Sequence, residues 1–148
     1  MGRTIFLKAG RGEGPIRKEA LADAGITPGH LIERTATGVK VHATAGGVAP
    51  ALFAVENALE GKQTDHAYVA DERVQFEHYG PGDEISAILA QGETVTIGSM
   101  LESAGDGTLQ VSAETASEIP GSVVAQALEA LDLSTSSLSA TALKVEII

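Results

Sequence analysis

Arg73-Val74-Gln75-Phe76-Glu77-His78-Tyr79-Gly80-Pro81-Gly82-Asp83-Glu84-Ile85-Ser86-Ala87-Ile88-Leu89 is the stretch on which the fold turns. Val74 and Phe76 alternate with Arg73, Gln75 and Glu77, the two-residue period of a strand with one buried face. Gly80-Pro81-Gly82-Asp83 then has the composition of a turn, and Glu84–Leu89 follows as a second strand. The same rhythm extends in both directions. Upstream, His30–Glu33 and Val39–Ala43 flank Thr37-Gly38 as a hairpin, and Ala51–Glu56 forms a buried strand ahead of a polar excursion at Leu59–Asp65.

Downstream, Thr94–Ile97 is a strand, and Asp106-Gly107 joins Leu101 to Leu109-Gln110-Val111 as a hairpin dipeptide. Val123–Leu133 is assigned to a strand despite its helix-forming alanines and leucines, with Val124, Gln126, Leu128, Ala130 and Asp132 sharing a face. Ala142–Ile148 closes the pattern with Lys144 and Glu146 outward. Turns at short intervals with no long helical segment predict a mainly β fold, a compact β-barrel or β-sandwich with at most one or two short helices.

The N-terminus differs in character. Thr4–Lys8 could form a strand, but Gly10-Arg11-Gly12-Glu13-Gly14-Pro15 cannot pack as regular structure, and residues 9–16 are assigned to an extended arm or surface loop. Ile16–Ala24 has helical composition with Gly25 as its stop. The resulting organisation is a basic arm with a short helix over residues 1–25 and a β-rich domain over 26–148.

The 148 residues carry a net charge of −10, unevenly spread. Residues 1–18 hold five cations against Glu13 alone, a net +4, whereas residues 71–148 hold thirteen acids against Arg73 and Lys144, a net −11. An acidic body argues against nucleic acid as a partner, because duplex affinity comes from neutralising phosphates. No run of about 18 apolar residues is present to span a membrane. With no cysteine, thiol nucleophiles and cysteine-ligated metals are excluded. Five aromatics, two Tyr and three Phe, leave little for a stacking platform once a core is built.

Candidate chemistry is sparse. His30, His42, His66 and His78 show no spacing that aims two rings at one ion. Gly10–Gly14 lacks the Lys-Ser/Thr of a phosphate loop, Asp106-Gly107 lacks the ligand pattern of a calcium loop, and Asp71-Glu72 and Asp83-Glu84 point to opposite faces of a strand. No nucleophile-elbow context is present. No enzyme and no cofactor is expected. The charge asymmetry instead suggests adhesion, with Arg3, Ile5, Phe6, Lys8, Arg11, Arg17 and Lys18 as the contact residues: the cations guide the arm to an acidic surface, and strand pairing of Thr4–Lys8 fixes it.

A family resemblance points the same way. Leu52–Gly61, Tyr68, Val74, Gly82-Asp83-Glu84, Gly98, Leu101-Glu102-Ser103, Gly105-Asp106-Gly107-Thr108-Leu109, Val124–Asp132 and Val145-Glu146-Ile147 together resemble the capsid decoration (cement, head-stabilising) proteins of tailed bacteriophages. The resemblance covers roughly residues 30–148 and leaves the arm aside. It implies a small β-rich virion protein on the outer surface of an icosahedral shell, made in the host cytoplasm, with the major capsid protein as partner. It also implies a homo-oligomer, a trimer by preference or a dimer. A surface-displayed carbohydrate- or host-binding β module is the alternative, and a metal-dependent hydrolase ranks third.

Overall fold

The computed structural model describes residues 4–9, 14–113, 121–135, 137 and 139–148. It is mainly β, with thirteen strands among the described residues and one 3-10 turn, Ala58–Glu60. The strands are β1 (Phe6–Lys8), β2 (Ile16–Leu21), β3 (Ile32–Arg34), β4 (Val39–Val41), β5 (Leu52–Ala54), β6 (Arg73–His78) and β7 (Glu84–Leu89). They continue as β8 (Thr94–Val95), β9 (Met100–Ser103), β10 (Leu109–Val111), β11 (Ala125–Ala127), β12 (Leu131–Asp132) and β13 (Thr141–Ile147).

Five strands close on themselves in the order β7-β10-β9-β11-β13, with β13 pairing back to β7 over six residue pairs. Closure follows from the alternation of β7 and β13. Ile85, Ala87 and Leu89 meet Leu143, Val145 and Ile147 in one buried cluster, while Ser86, Ile88, Lys144 and Glu146 turn out. The other margin of β7 is divided. β10 pairs with Leu89 at one end, and β1 pairs with Glu84 and Ile85 at the other.

A three-stranded sheet, β2-β6-β5, packs beside the barrel and separates two cores. On β5, Phe53 and Val55 enter the barrel cluster, while Leu52 and Ala54 point the opposite way and join Val74 and Phe76 of β6. The β3–β4 hairpin covers this second core through Ile32 and Val39. Both faces of the sheet are buried near its centre, so strict alternation carries two sets of apolar side chains in Leu52–Val55.

Two expectations need correction. Ile16–Ala24 is not helical: Ile16–Leu21 is β2, paired residue for residue with β6 from Ile16 opposite His78 to Leu21 opposite Arg73. Ladder hydrogen bonds and the packing of Ala20 and Ala22 on the second core outweigh a helix propensity of a few tenths of a kcal/mol per residue. Val123–Leu133 is two short strands, β11 and β12, broken at 128–130, and its residues buried in the barrel core are Val124, Ala125, Ala127 and Leu133, so the expected single face of Val124, Gln126, Leu128, Ala130 and Asp132 is not formed. The 3-10 turn lies in the excursion that the sequence pattern leaves irregular. Of the described residues among 1–25, Phe6–Lys8 pairs on β7 beside the barrel and Ile16–Leu21 belongs to the three-stranded sheet.

At Gly38 a Cβ would sit 2.0 Å from the Leu21 carbonyl oxygen, because the start of β4 bridges onto the end of β2. Backbone cannot yield there as a flexible side chain would. Gly38→Ala is expected to destabilise the protein by about 3 kcal/mol or more, at the upper end of overpacking costs. The urea unfolding midpoint measures it.

Candidate functional site

The contact residues read from the sequence divide into two groups in space. Arg3 and Arg11 lie outside the described residues. Ile5 is 3% exposed and belongs to the barrel core, and Phe6 stacks on Tyr79 with ring centroids 6.1 Å apart. Arg17 places Nε and Nη2 at 3.0 and 2.9 Å from Glu77 Oε1. Lys8 and Lys18 are exposed and make no ion pair among the described residues.

Arg17 and Ile5 are held by a buried polar cluster that sequence inspection does not reveal. Glu56 and Glu77 are both buried, at the junction of barrel and sheet. The Ile5 backbone N–H donates to Glu56 Oε2 at 3.1 Å, and Tyr79 donates its hydroxyl to Glu77 Oε2 at 2.7 Å. Burial and the Glu77 carboxylate both push the Tyr79 phenol far above its ordinary range, which keeps it a donor. Burial likewise raises the Tyr68 phenol, which donates to the Val55 carbonyl at 2.7 Å. Glu77 sits in the polar register of an alternating strand, so only the barrel packed over that register buries it. Tyr79, two residues on and on the same face, is the one sequence signal of that cover.

A second cluster has hydrolase residue types. His42 Nδ1 lies 2.7 Å from Ser103 Oγ, and His42 Nε2 lies 3.7 Å from Glu33 Oε2, which also belongs to an ion pair through Lys40. Sequence spacing gives no hint of it, since 61 residues separate His42 from Ser103. Ser103 is fully buried, and its hydroxyl accepts the Gly105 N–H at 3.1 Å. No substrate carbonyl reaches that oxygen in this arrangement, and the long contact to Glu33 does not orient the ring as a triad carboxylate does. Its evident work is to tie the residue after β4 to the barrel strand β9. Among the described residues no three His, Asp or Glu side chains gather as metal ligands.

The open surface most suited to a partner is the outer margin of β2. The ladder parity is fixed at its end: the Ala22 N–H donates to the Glu72 carbonyl on the β6 side, and the Asp23 N–H donates to the Val39 carbonyl on the other. By the two-residue alternation, the backbone groups of Arg17 and Glu19 also point away from β6, where no described strand meets them. Lys18 stands opposite Phe76, and the Arg34 guanidinium lies 5.7 Å from the centre of that ring. Arg34 is exposed and, like Lys18, has no ion pair among the described residues. Among the described residues, two cations without an ion pair, Lys18 on β2 and Arg34 over Phe76 of the adjoining β6, therefore share one face of the sheet next to a strand margin that no described strand covers. Arg34 is absent from the residues the sequence singled out, because it lies in neither the basic arm nor a motif. A separate polar groove of about 240 Å³ lies between Asn57, Lys62, Glu72, Arg73 and Gln75, its charges paired internally.

No family model matches the chain, and no curated protein matches it. Among solved structures, the head fiber gp8.5 N base of bacteriophage phi29 has the same fold. The two superpose with a TM-score of 0.57 at 13% identity, over 90% of this chain and 93% of that one.

Arg17→Ala leaves Glu77 buried without its cation and is expected to cost about 2 kcal/mol, below the full penalty for a broken buried pair because the guanidinium is half exposed. Adding Glu77→Gln should recover part of that loss in chemical denaturation.

His30 is held neutral by burial, its pKa lowered and only partly offset by Asp106, while Nδ1 accepts the Thr27 N–H. Below the ordinary value of 6.5 the unfolded chain therefore binds a proton that the folded one refuses. Stability should fall as pH drops from about 6.5 through the lower folded value, a dependence that His30→Asn should flatten in thermal melts between pH 7 and pH 5.

Proposed function

We propose that this protein is a structural component of a phage virion that decorates the outer surface of an icosahedral shell and fastens capsid subunits together. The observation that carries this reading is the correspondence of fold, over nearly the full length of both chains, with a protein that forms the base of a phage head fiber. The sequence resemblance to decoration proteins, assembled from different evidence, supports the same assignment. The described residues also offer a closed barrel whose buried carboxylates Glu56 and Glu77 are supplied with internal donors, leaving the exposed Lys8, Lys18 and Arg34 for a partner surface.

The physical action proposed is additive clamping. A protein bound across two subunits makes their separation cost its own contacts as well, and a shell carrying many copies multiplies the effect. Assembly of this chain as a trimer at threefold positions, or as a dimer at twofolds, would place several clamps around each axis. No cofactor and no catalytic step enter this role.

Purified protein added to undecorated, expanded capsids is expected to give symmetric, saturable occupancy by cryo-imaging and to raise the temperature at which the shells disrupt. Attachment guided by Lys8, Lys18 and Arg34 should weaken as salt rises and the Debye length contracts to about 3 Å at 1 M. Absent or random binding, or unchanged shell stability at full occupancy, would refute the proposal.

A further inference from the structure

We infer that the free margin of β2 is a docking site for an extended, acidic segment of another protein, added as a further strand beside Arg17 and Glu19. The identification of that partner as the capsid subunit rests on the function proposed above; the docking chemistry itself does not.

No described strand takes up the outward backbone groups of Arg17 and Glu19. A strand margin offers alternating donors and acceptors, and an incoming extended segment satisfies them while adding side-chain pairs on each face. The margin is limited on its C-terminal side, where Gly38 and Val39 cross Leu21–Asp23. Thr35 and Thr37 donate their hydroxyls to the Asp23 carboxylate, which holds this loop at Asp23. What stays open is the Ile16–Ala20 stretch, with Ile16 61% exposed at its start.

Charge then selects the occupant. Consider first a second copy pairing antiparallel through the same margin. Arg17 and Glu19 carry the outward backbone groups, so the register that pairs Arg17 with Glu19 of the other copy sets Lys18 directly against its symmetry mate. That position is a non-hydrogen-bonded pair, with Cβ atoms only about 5 Å apart, where like charges destabilise. Registers centred on Arg17 or Glu19 oppose two arginines or two glutamates. Each symmetric register centred on the charged stretch Arg17–Glu19 therefore sets like charges against each other, whereas an acidic segment of another protein meets Lys18 with the opposite sign.

An acidic strand has the opposite balance. A carboxylate facing Lys18 also approaches the Arg34 guanidinium over Phe76, and apolar residues two positions either side would pack against Ile16 and Ala20. Arg17 and Glu19 on the other face are already compensated by Glu77 and by Arg73 with Gln75. The recognised pattern is thus apolar-acid-apolar at every second residue.

Position 19 allows a backbone-selective test. Its N–H points off the sheet, so Glu19→Pro removes a docking donor without removing a ladder bond to β6, the kind of margin site where proline is tolerated. Glu19→Ala deletes the same carboxylate and keeps the N–H. Two assays separate the docking inference from the capsid reading. In the first, ¹⁵N-labelled protein is titrated with a capped heptapeptide, Thr-Val-Thr-Glu-Thr-Val-Thr, whose second, fourth and sixth residues share one face and carry the apolar-acid-apolar pattern, and with its counterpart bearing lysine at the fourth position. The glutamate peptide is expected to slow amide exchange at Arg17 and Glu19 and to bind at least tenfold tighter than the lysine peptide. Lys18→Glu with Arg34→Glu should reverse that preference, and Glu19→Pro, but not Glu19→Ala, should abolish protection at Arg17. Equal binding of the two peptides, or no protection at Arg17 and Glu19, overturns the inference whatever the capsids do.

In the second assay the same variants compete for expanded capsids. If wild type binds and Glu19→Pro binds as well, while circular dichroism shows both folded, docking through β2 is overturned and the decoration role stands. If wild type ignores capsids yet the peptide result holds, the decoration role fails and the docking site stands.

Discussion

Everything in this molecule hangs on carboxylates that are buried where the barrel meets the three-stranded sheet. An ionised carboxylate taken out of water is costly unless its oxygens are supplied with donors, and here the donors come from the N-terminal strands and from Tyr79. Glu56 takes the N–H of Ile5, and Glu77 takes Arg17 and Tyr79. Removing those donors would leave two buried charges uncompensated, so the first strands of the chain are required parts of the interior. Phe53 and Val55 enter the barrel core from the same sheet, so apolar packing and the carboxylate hydrogen bonds hold the two layers together.

The N-terminal basicity takes on a different meaning in that light. Taken alone, five cations in eighteen residues suggest a loose tether seeking an acidic surface. In the folded chain Arg17 is consumed by Glu77, and Ile5 and Phe6 are consumed by the core. The positive charge left for a partner on the described surface near β2 is assembled from two sources, Lys18 in the N-terminal region and Arg34 at the end of β3. Linear charge density locates only the first of them.

Much of the architecture was legible in the order of residues. Alternation in Glu84–Leu89 and Thr141–Ile147 is strong because a barrel interior lies opposite a more exposed face, and Arg73–His78 alternates because Val74 and Phe76 face the second core while polar side chains, the buried Glu77 among them, occupy the other register. The Asp106-Gly107 hairpin was legible too, since Gly107 takes a φ of 87° that suits few other residues. Ile16–Ala24 misled because its alanines, leucine and charged residues favour a helix locally, and only β6, more than fifty residues away, makes it a strand. Val123–Leu133 misled in a smaller way: the pattern identifies extended chain, but nothing local marks the break after Ala127. Of the candidate site, the exposed lysines were visible, whereas Arg34 and the free margin of β2 depend on which strand ends up outermost. That is a property of topology, and no window of sequence contains it.

The divided margin of β7 has a consequence for how the chain reaches this state. Its partners are β1, from the first ten residues, β10, about twenty residues downstream of β7, and β13, from the last ten. Such pairings are almost wholly non-local, so their loop-closure entropy is spent before any of them is rewarded, which slows the search for the native arrangement. During synthesis β7 emerges with both flanks bare except where β1 can already lie against it. The cylinder stays unsealed until residues 141–147 have been made, and for that interval the strand displays its hydrogen-bonding groups to every neighbouring nascent copy.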